Sequence, residues 1–381
     1  MTGKPHICLI VPNAYGAMAG GRSGHIGGAE HQTTMTARWF AAKGYPVSLV
    51  TWDEGQPDGQ VIDGVKVFKL CRLGDGVPGL RFFHPRLTSL FAAMRRANAD
   101  IYYHNSCERE TGLVAIWCRR HHRKFIYSAA HDAGCDPALP QLSHAYERVL
   151  YRYGLRNADR VIVQTEKQRM MVSEGFGLDS AVLPMPCPGP LASEYTPPTP
   201  PSDPRVVWVG RAAEIKRMEW LLDLSERVPE VRFEIAAANA TTPYARNLRE
   251  RAERIPNVNW LGPVARERIP ELYQRATCLC CTSTNEGFPN TFLEAWSYGR
   301  PLVTSFDPDG IVAGFRLGYT CHDLDAFARA IRALSESQSE WMECSRNARK
   351  YYEENHLVDV AMARFEEQFL SVCQHRVSGG G

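Results

Sequence analysis

Residues 183–204 place at least eight prolines in one stretch, and nothing else in the chain restricts its fold so strongly. Proline has no N–H and clashes with the preceding helical turn, so neither a helix nor an inner strand can run through. A linker is expected there, with a separate body on each side. Before it, short apolar runs at residues 7–11, 47–51, 65–70, 101–104 and 125–128 read as strands, and residues 159–164 supply another. Helical patterns fall between them, near residues 29–43 with Gly44 as a stop, 85–97, 110–120 and 139–155. After the linker the alternation restarts, with strands at residues 206–209, 232–236, 257–261, 277–282 and 302–304. Strands alternating with helices specify a doubly wound α/β sheet, and two Rossmann-like domains are the simplest account.

Composition sets limits on what such a chain does. Its 381 residues, 44% of them hydrophobic, suffice for two buried cores. No apolar run approaches the roughly 18 to 20 residues of a membrane span, and the run at residues 7–11 is too short for a secretory signal, so a cytoplasmic location is expected. The 12 cysteines sit mostly inside apolar segments, which favours buried free thiols over a disulfide framework. Cys278-Leu279-Cys280-Cys281 formally contains C-x-x-C, but lacks the second pair of a zinc site and the helix start of a redox motif. His121 and His122 lie in the basic run Arg119 to Lys124, which reads as a solvated helix end.

The net charge is +2, unevenly divided: residues 1–190 hold 22 Lys and Arg against 16 Asp and Glu, and the remainder holds 22 against 26. Near-neutrality argues against a nucleic-acid partner. The basic N-terminal half suits contact with an anionic membrane, peripheral on its inner face. Leu80-Arg81-Phe82-Phe83-His84-Pro85-Arg86-Leu87 mixes aromatic and cationic side chains as an interfacial segment does, although an ordinary helix with a basic solvated face fits equally well.

The functional signal is concentrated in Asn285-Glu286-Gly287-Phe288-Pro289-Asn290-Thr291-Phe292-Leu293-Glu294-Ala295. Two carboxylates straddle a short Gly/Pro loop and a helix start, where Asn290 is placed to act as the cap. A helix N-terminus favours phosphate, and each carboxylate accepts hydrogen bonds from vicinal hydroxyls, so the pair suits a sugar nucleotide. Taken alone, Glu286 at a turn and Glu294 on a solvated helix face fit as well. Upstream, a strand at residues 205–209 ends in Gly210-Arg211, and Lys216-Arg217 follows at a helix start. Open α/β sheets bind ligands beyond the carboxyl ends of their strands, and a departing diphosphate needs cations there if no metal neutralises it.

The combination of G-R with K-R a few residues on, then E-G-F-x-N-x-x-x-E-A, resembles the retaining family 4 glycosyltransferases of the GT-B fold. The likeness runs from Gly27-Gly28-Ala29-Glu30, through Asn157-Ala158-Asp159-Arg160-Val161-Ile162-Val163, to Ser297-Tyr298-Gly299-Arg300-Pro301-Leu302-Val303. It implies two Rossmann-like domains facing across a cleft: an acceptor domain over residues 1–186, a donor domain over 187–356, and a last helix crossing back within 357–381. By the same resemblance Arg211 and Lys216 bind the donor diphosphate, Glu286 the transferred sugar and Glu294 the nucleotide ribose. Gly210, Gly287, Phe288, Pro289, Asn290 and Thr291 would contribute backbone around the phosphates. The nucleotide base would be read near Gly262-Pro263-Val264, with uridine and guanosine donors left unseparated. Gly27 and Gly28, ending the long glycine-rich connection from Gly16, would approach the diphosphate or acceptor from the other domain, although a plain flexible loop is the alternative. His131, in Ala129-Ala130-His131-Asp132, resembles the family's cleft histidine that contacts the donor sugar. Its other reading is a hydrogen-bonded core histidine, and Asp132 is expected to support it or the acceptor.

The reaction so implied is retaining transfer of a sugar from a UDP- or GDP-sugar to a hydroxyl of a glycan or lipid-linked acceptor, as in polysaccharide or glycoconjugate biosynthesis. No obligate cofactor and no metal are expected. Asp307-Pro308-Asp309 and Asp323-Leu324-Asp325 spell D-x-D, the metal signature of another glycosyltransferase fold, but three-residue matches are common. The first also departs from a glycine-rich turn usual in the family. The competing readings are a nucleotide-sugar epimerase of the same fold and a noncatalytic or nucleic-acid-binding protein. Ser378-Gly379-Gly380-Gly381 reads as a flexible tail.

Overall fold

The computed structural model describes residues 3–20, 27–191, 193–238, 241–284 and 286–374. The middle of the glycine-rich connection, Asn285 and the terminal Ser378 to Gly381 lie outside the described residues. The chain divides into two compact units, one formed by residues up to Met185 together with those from Ala361 onward, the other by Pro186–Val360.

The first unit is built on β1 (Ile7–Ile10), β2 (Val47–Thr51), β3 (Gln60–Ile62), β4 (Val65–Lys69), β5 (Ile101–His104), β6 (Lys124–Ser128), β7 (Arg160–Val163) and β8 (Ala181–Val182). They form one sheet in the order β3-β4-β2-β1-β5-β6-β7-β8, parallel except for β3, which runs antiparallel on β4. All residues of β1, β2 and β5 are buried, as expected where helices cover both faces of a parallel sheet. Residues 28–42 form a helix followed by Gly44 at φ 80°, a left-handed stop that glycine accepts without cost. The last helix, Val358–Gln374, sends Phe369 against Phe40 and Tyr103, and Glu366 accepts the Tyr45 hydroxyl at 2.6 Å.

Two helix starts fall later than the sequence pattern indicates. The helix placed at residues 85–97 begins at Thr88; Pro85 sits in the preceding turn Phe82–Leu87 and drives His84 into extended geometry (φ −139°, ψ 126°). The helix placed at residues 139–155 is Ala145–Arg156. Leu139, followed by Pro140, adopts φ 51°, and Glu147 caps the true start by accepting from the His144 N–H at 3.2 Å. This helix crosses Glu110–Arg120 so closely that a side chain on Gly112 would overlap the Leu150 carbonyl.

The second unit carries β9 (Arg205–Arg211), β10 (Arg232–Ala238), β11 (Val258–Trp260), β12 (Cys278–Cys281), β13 (Leu302–Thr304) and β14 (Gly318–Thr320). Their order is β11-β10-β9-β12-β13-β14, parallel throughout. The cysteines of β12 are buried thiols, with burial pushing Cys278 up to about 12, which leaves them inert apolar side chains. Two parallel Rossmann-like sheets in one chain match the α/β class expected.

Candidate functional site

The order of the second sheet reverses between β9 and β12, and at such a switch point the loops leaving two neighbouring strands open a crevice. Hydrogen bonds stitch these two loops together. Thr284 N donates to the Ile215 carbonyl at 2.9 Å, Thr282 Oγ1 to the Lys216 carbonyl at 2.7 Å, and Arg217 Nε to the Thr282 carbonyl at 2.7 Å. Arg217 also lies flat over Trp220, 4.0 Å from the ring centre, so its charge serves to hold the loop.

Lys216 points into the crevice and forms an ion pair with Glu286. Sequence reasoning gave these side chains separate tasks; the fold makes them partners. Arg211, the last residue of β9, is exposed and has no ion pair among the described residues. One cation at this strand end is thus held by a carboxylate and the other is open. Gly210 packs its backbone on the Trp208 ring, which a Cβ would approach to 3.1 Å.

The helix Asn290–Ser297 follows, and its cap differs from the expected one. Pro289 occupies the cap position, with extended φ and no side-chain hydrogen bond, and Asn290 is the first helical residue. The reason is local: proline's fixed φ of −68° suits the turn into the helix, and the chain is already helical at Asn290. Pro289 itself offers the first amides of the helix no side-chain acceptor. Phe288 packs edge-on to Trp296 and against His356, pinning the loop, and Gly287 and Thr291 are part-buried beside it.

Glu294 lies one turn in. It accepts the Tyr273 hydroxyl at 3.0 Å and pairs with Arg266 at 3.4 Å. Burial pushes its carboxyl above the usual glutamate range, while Arg266 and Tyr273 pull the other way. Neither partner was singled out from the sequence. A tyrosine 21 positions upstream carries no local signal, although Arg266 follows the Gly262-Pro263-Val264 turn closely enough to have been considered. Val264 is half-buried, packed against the cluster of Val207, Ala236, Leu272 and Ala276, on the loop that carries Arg266.

Both D-x-D sequences have structural work. Asp307 accepts from the Val312 and Ala313 amides at 2.7 and 3.0 Å and from Thr320 Oγ1 at 3.2 Å. Asp323 caps Leu324–Glu336 through Ala326 N, and Asp325 pairs with Arg227.

In the first unit, Gly27 is the extended cap residue of Gly28–Ala42 and Gly28 its first helical residue, on the loop leaving β1. His131 follows β6, half-buried in extended backbone, with Nδ1 lacking a partner among the described residues. Burial lowers its pKa, so the ring is neutral near pH 7. Asp132 acts on the ring through its charge, while its carboxylate accepts from Lys167 Nζ at 2.6 Å and Gln168 Nε2 at 3.0 Å.

The chain is similar to known proteins in sequence and fold. Residues 27–188 match the family model described as glycosyl transferase 4-like domain, and residues 203–337 the one described as glycosyl transferases group 1. Among curated proteins, a D-inositol 3-phosphate glycosyltransferase of Mycobacterium sp. (strain JLS) is 27% identical over 246 residues, 59% of this chain and 55% of the relative. The chain thus spans about half the length of this relative. A peptide N-acetylglucosaminyltransferase subunit of Streptococcus parasanguinis, named for UDP-N-acetylglucosamine, is 26% identical over 40% of this chain and 32% of its own. In structure, sucrose-phosphate synthase from Thermosynechococcus elongatus superposes with a TM-score of 0.76 at 17% identity, covering 98% of this chain and all of that one. A lipopolysaccharide outer core galactosyltransferase superposes at 0.68 and 16% identity, covering 96% and 99%.

Proposed function

The chain belongs to the group 1, 4-like glycosyltransferases of the GT-B fold, and from that premise we propose that it moves a sugar from a nucleoside diphosphate sugar to an acceptor hydroxyl, with retention. The observation that carries this reading is the Lys216–Glu286 pair at the β9/β12 switch point, with Arg211 open beside it and Glu294 braced by Tyr273 and Arg266. Arg211 and Lys216 suit the two phosphates, Glu286 the sugar hydroxyls, and Glu294 the ribose diol. The amides from Phe288 to Thr291 face the diphosphate, and Gly210, Gly287 and Pro289 shape the backbone around it. Val264 borders the nucleotide base, and the neutral His131 at the end of β6 suits contact with a sugar hydroxyl.

The reaction breaks the bond between the anomeric carbon and the phosphate oxygen and makes one from that carbon to the acceptor oxygen. The acceptor proton passes to the departing diphosphate on the same face. Charge grows on the leaving phosphate as the sugar gains oxocarbenium character, and Arg211 and Lys216 stabilise that charge, as preorganised cations do in a partly desolvated site. Such a reaction needs neither a protein nucleophile nor an obligate metal, and a tenfold loss of rate with chelator would overturn the second point. Solved neighbours in complex with UDP, TarM of S. aureus and a pneumococcal O-GlcNAc transferase, support a nucleotide-sugar donor.

Glycan or lipid-linked acceptors fit the relatives' range. No helix is long and apolar enough to cross a membrane among the described residues. Peripheral contact with an anionic membrane at the cytoplasmic face is supported by Leu73, Val77, Leu80 and Phe83, all more than half exposed, with Arg81 and Arg86 among them. Co-flotation with anionic liposomes tests this, and flotation unaffected by Leu80→Ser with Phe83→Ser would sink it.

The function itself is tested by incubating the purified protein with a panel of UDP- and GDP-sugars and following thermal stabilisation and slow donor hydrolysis. Donor at about 100 times its dissociation constant adds about 2.7 kcal/mol. Stabilisation by one donor, lost in Lys216→Ala and Glu294→Ala, supports the reading; no response to any donor overturns it.

A further inference from the structure

The basic run Arg119 to Lys124, which by sequence alone is a solvated helix end, forms one wall of a groove on the first unit. The groove has a volume of about 410 Å³, and its lining includes Arg119, His122, Arg123, Lys124, Asn157 and Asp159. It lies where β6 starts at Lys124 and β7 at Arg160, whereas His131 follows the other end of β6. The groove is thus on the sheet edge away from the carboxyl strand ends, where doubly wound folds bind their substrates.

Its cations are held in place. Arg119 Nη1 donates to Asn157 Oδ1 at 2.9 Å, Arg123 to Asn98 Oδ1 at 2.7 Å and to Asp100 at 3.2 Å, and Lys124 Nζ to Asp159 at 2.7 Å. Asp100 and Asp159 offset Arg123 and Lys124, but Arg119 is held by a neutral amide, and neither it nor the exposed Arg120 has a carboxylate partner among the described residues. Positive charge is left in excess. A helix C-terminus attracts cations to its carbonyls, which alone would account for Arg119 and Arg120. Here those carbonyls are already engaged: the amides of His121, His122 and Arg123 donate to the Trp117, Arg119 and Cys118 carbonyls at 3.0, 3.4 and 2.8 Å. That closure passes through His122 at φ 54°, a left-handed position where glycine is the usual residue. Two other helices of this unit stop on glycine in this conformation, at Gly44 and Gly177. The histidine in its place carries backbone strain and sets a ring N–H donor on the groove, which imidazole offers in either protonation state.

Arginine forks with a lysine match an oxyanion that has several acceptor oxygens, and a lining this polar gives an apolar ring little to pack on. We infer that this groove binds the phosphate or diphosphate group of a ligand other than the sugar donor, through Arg119, His122 and Lys124. The site stands on the first unit alone and does not depend on the transfer reaction.

The probe is pyrophosphate, titrated calorimetrically into the full chain carrying Arg211→Ala with Lys216→Ala, which removes the second unit's cations that would compete for it. Binding is expected to persist in that background. Adding Arg119→Gln with Lys124→Gln should raise the dissociation constant at least tenfold. His122→Gly should raise it at least threefold without lowering the thermal midpoint, because glycine suits the backbone there, and it carries the test if the double change does not fold. Flotation with phosphatidylcholine vesicles containing phosphatidic acid separates two sources of the phosphate: co-flotation lost in Arg119→Gln with Lys124→Gln identifies a lipid headgroup, and pyrophosphate binding without co-flotation identifies a free phosphorylated molecule. No pyrophosphate binding in the background variant, or a dissociation constant unchanged by the further substitutions, would overturn the inference.

Discussion

Lys216 and Glu286, 70 positions apart, meet as an ion pair where the loops leaving β9 and β12 are bound to each other. The pair keeps the lysine from swinging into solvent before a donor arrives. It also keeps a carboxylate beside the position proposed for the transferred sugar.

Removing either partner should therefore cost catalysis more than stability. Lys216→Ala is expected to lower kcat by about 100-fold or more, the range seen when one preorganised charge-stabilising donor is lost. Glu286→Gln should lower kcat while leaving nucleoside diphosphate affinity within about threefold. Steady-state kinetics with calorimetric binding of the free diphosphate separates the two effects, and equal losses in both variants' diphosphate affinity would contradict the assignment.

Arg266 holds Glu294 from the surface. The arginine is 49% exposed, so its pair with Glu294 should contribute little to stability, and Arg266→Ala should leave the thermal midpoint nearly unchanged. Its positive charge does lower the Glu294 pKa against burial. Without it that pKa rises further, the carboxylate protonates earlier as pH falls, and donor affinity should be lost at a higher pH than in the native protein. Donor binding measured by calorimetry across pH 5 to 8 checks the direction.

Glu108 makes stability fall with rising pH. Its folded pKa, about 7, lies above the ordinary glutamate value of 4.5, so the folded state holds the proton more tightly than the unfolded chain. Stability from this group is full below the unfolded value and is lost as pH rises through the window to about 7. Glu108→Gln should remove that slope and stabilise the protein at pH 8 by on the order of 1 to 2 kcal/mol relative to its effect near pH 4.5. Thermal unfolding at the two pH values decides it.

Gly112 marks where two helices come too close for any side chain. Gly112→Ala would push a methyl into the Leu150 carbonyl, a backbone atom that cannot rotate aside. A loss of about 2 kcal/mol or more is expected, at the upper end of overpacking costs, and Gly154→Ala should behave alike because its methyl meets Thr111 from the opposite helix. Chemical denaturation of the two variants provides the check.

Local chemistry already determined much of this protein. Continuous apolar runs such as Ile101–His104 and Val47–Thr51 are strands wherever they occur in an α/β chain, because both faces are to be covered. Glu110–Arg120 is likewise bounded as its pattern indicates, and among the described residues of 183–204 the proline-rich stretch carries no helix or strand, only a bridge of Cys187 to Leu357. The four residues Arg211, Lys216, Glu286 and Glu294 stand out because charge next to a strand end or helix start is a contiguous signal. Tertiary structure decided what depends on partners. β3, β8 and β14, with two or three residues each, have no periodicity to read and form because a neighbouring strand offers its free ladder. The Thr282 carbonyl makes Arg217 a staple between two loops, and Asp307 bonds the Val312 and Ala313 amides that follow it. Tyr273 reached Glu294, and His104 and Asn105 were left with open polar atoms, because strand order alone brings those side chains together. Periodicity is encoded by adjacent residues, but pairing across a sheet depends on which strand ends become neighbours.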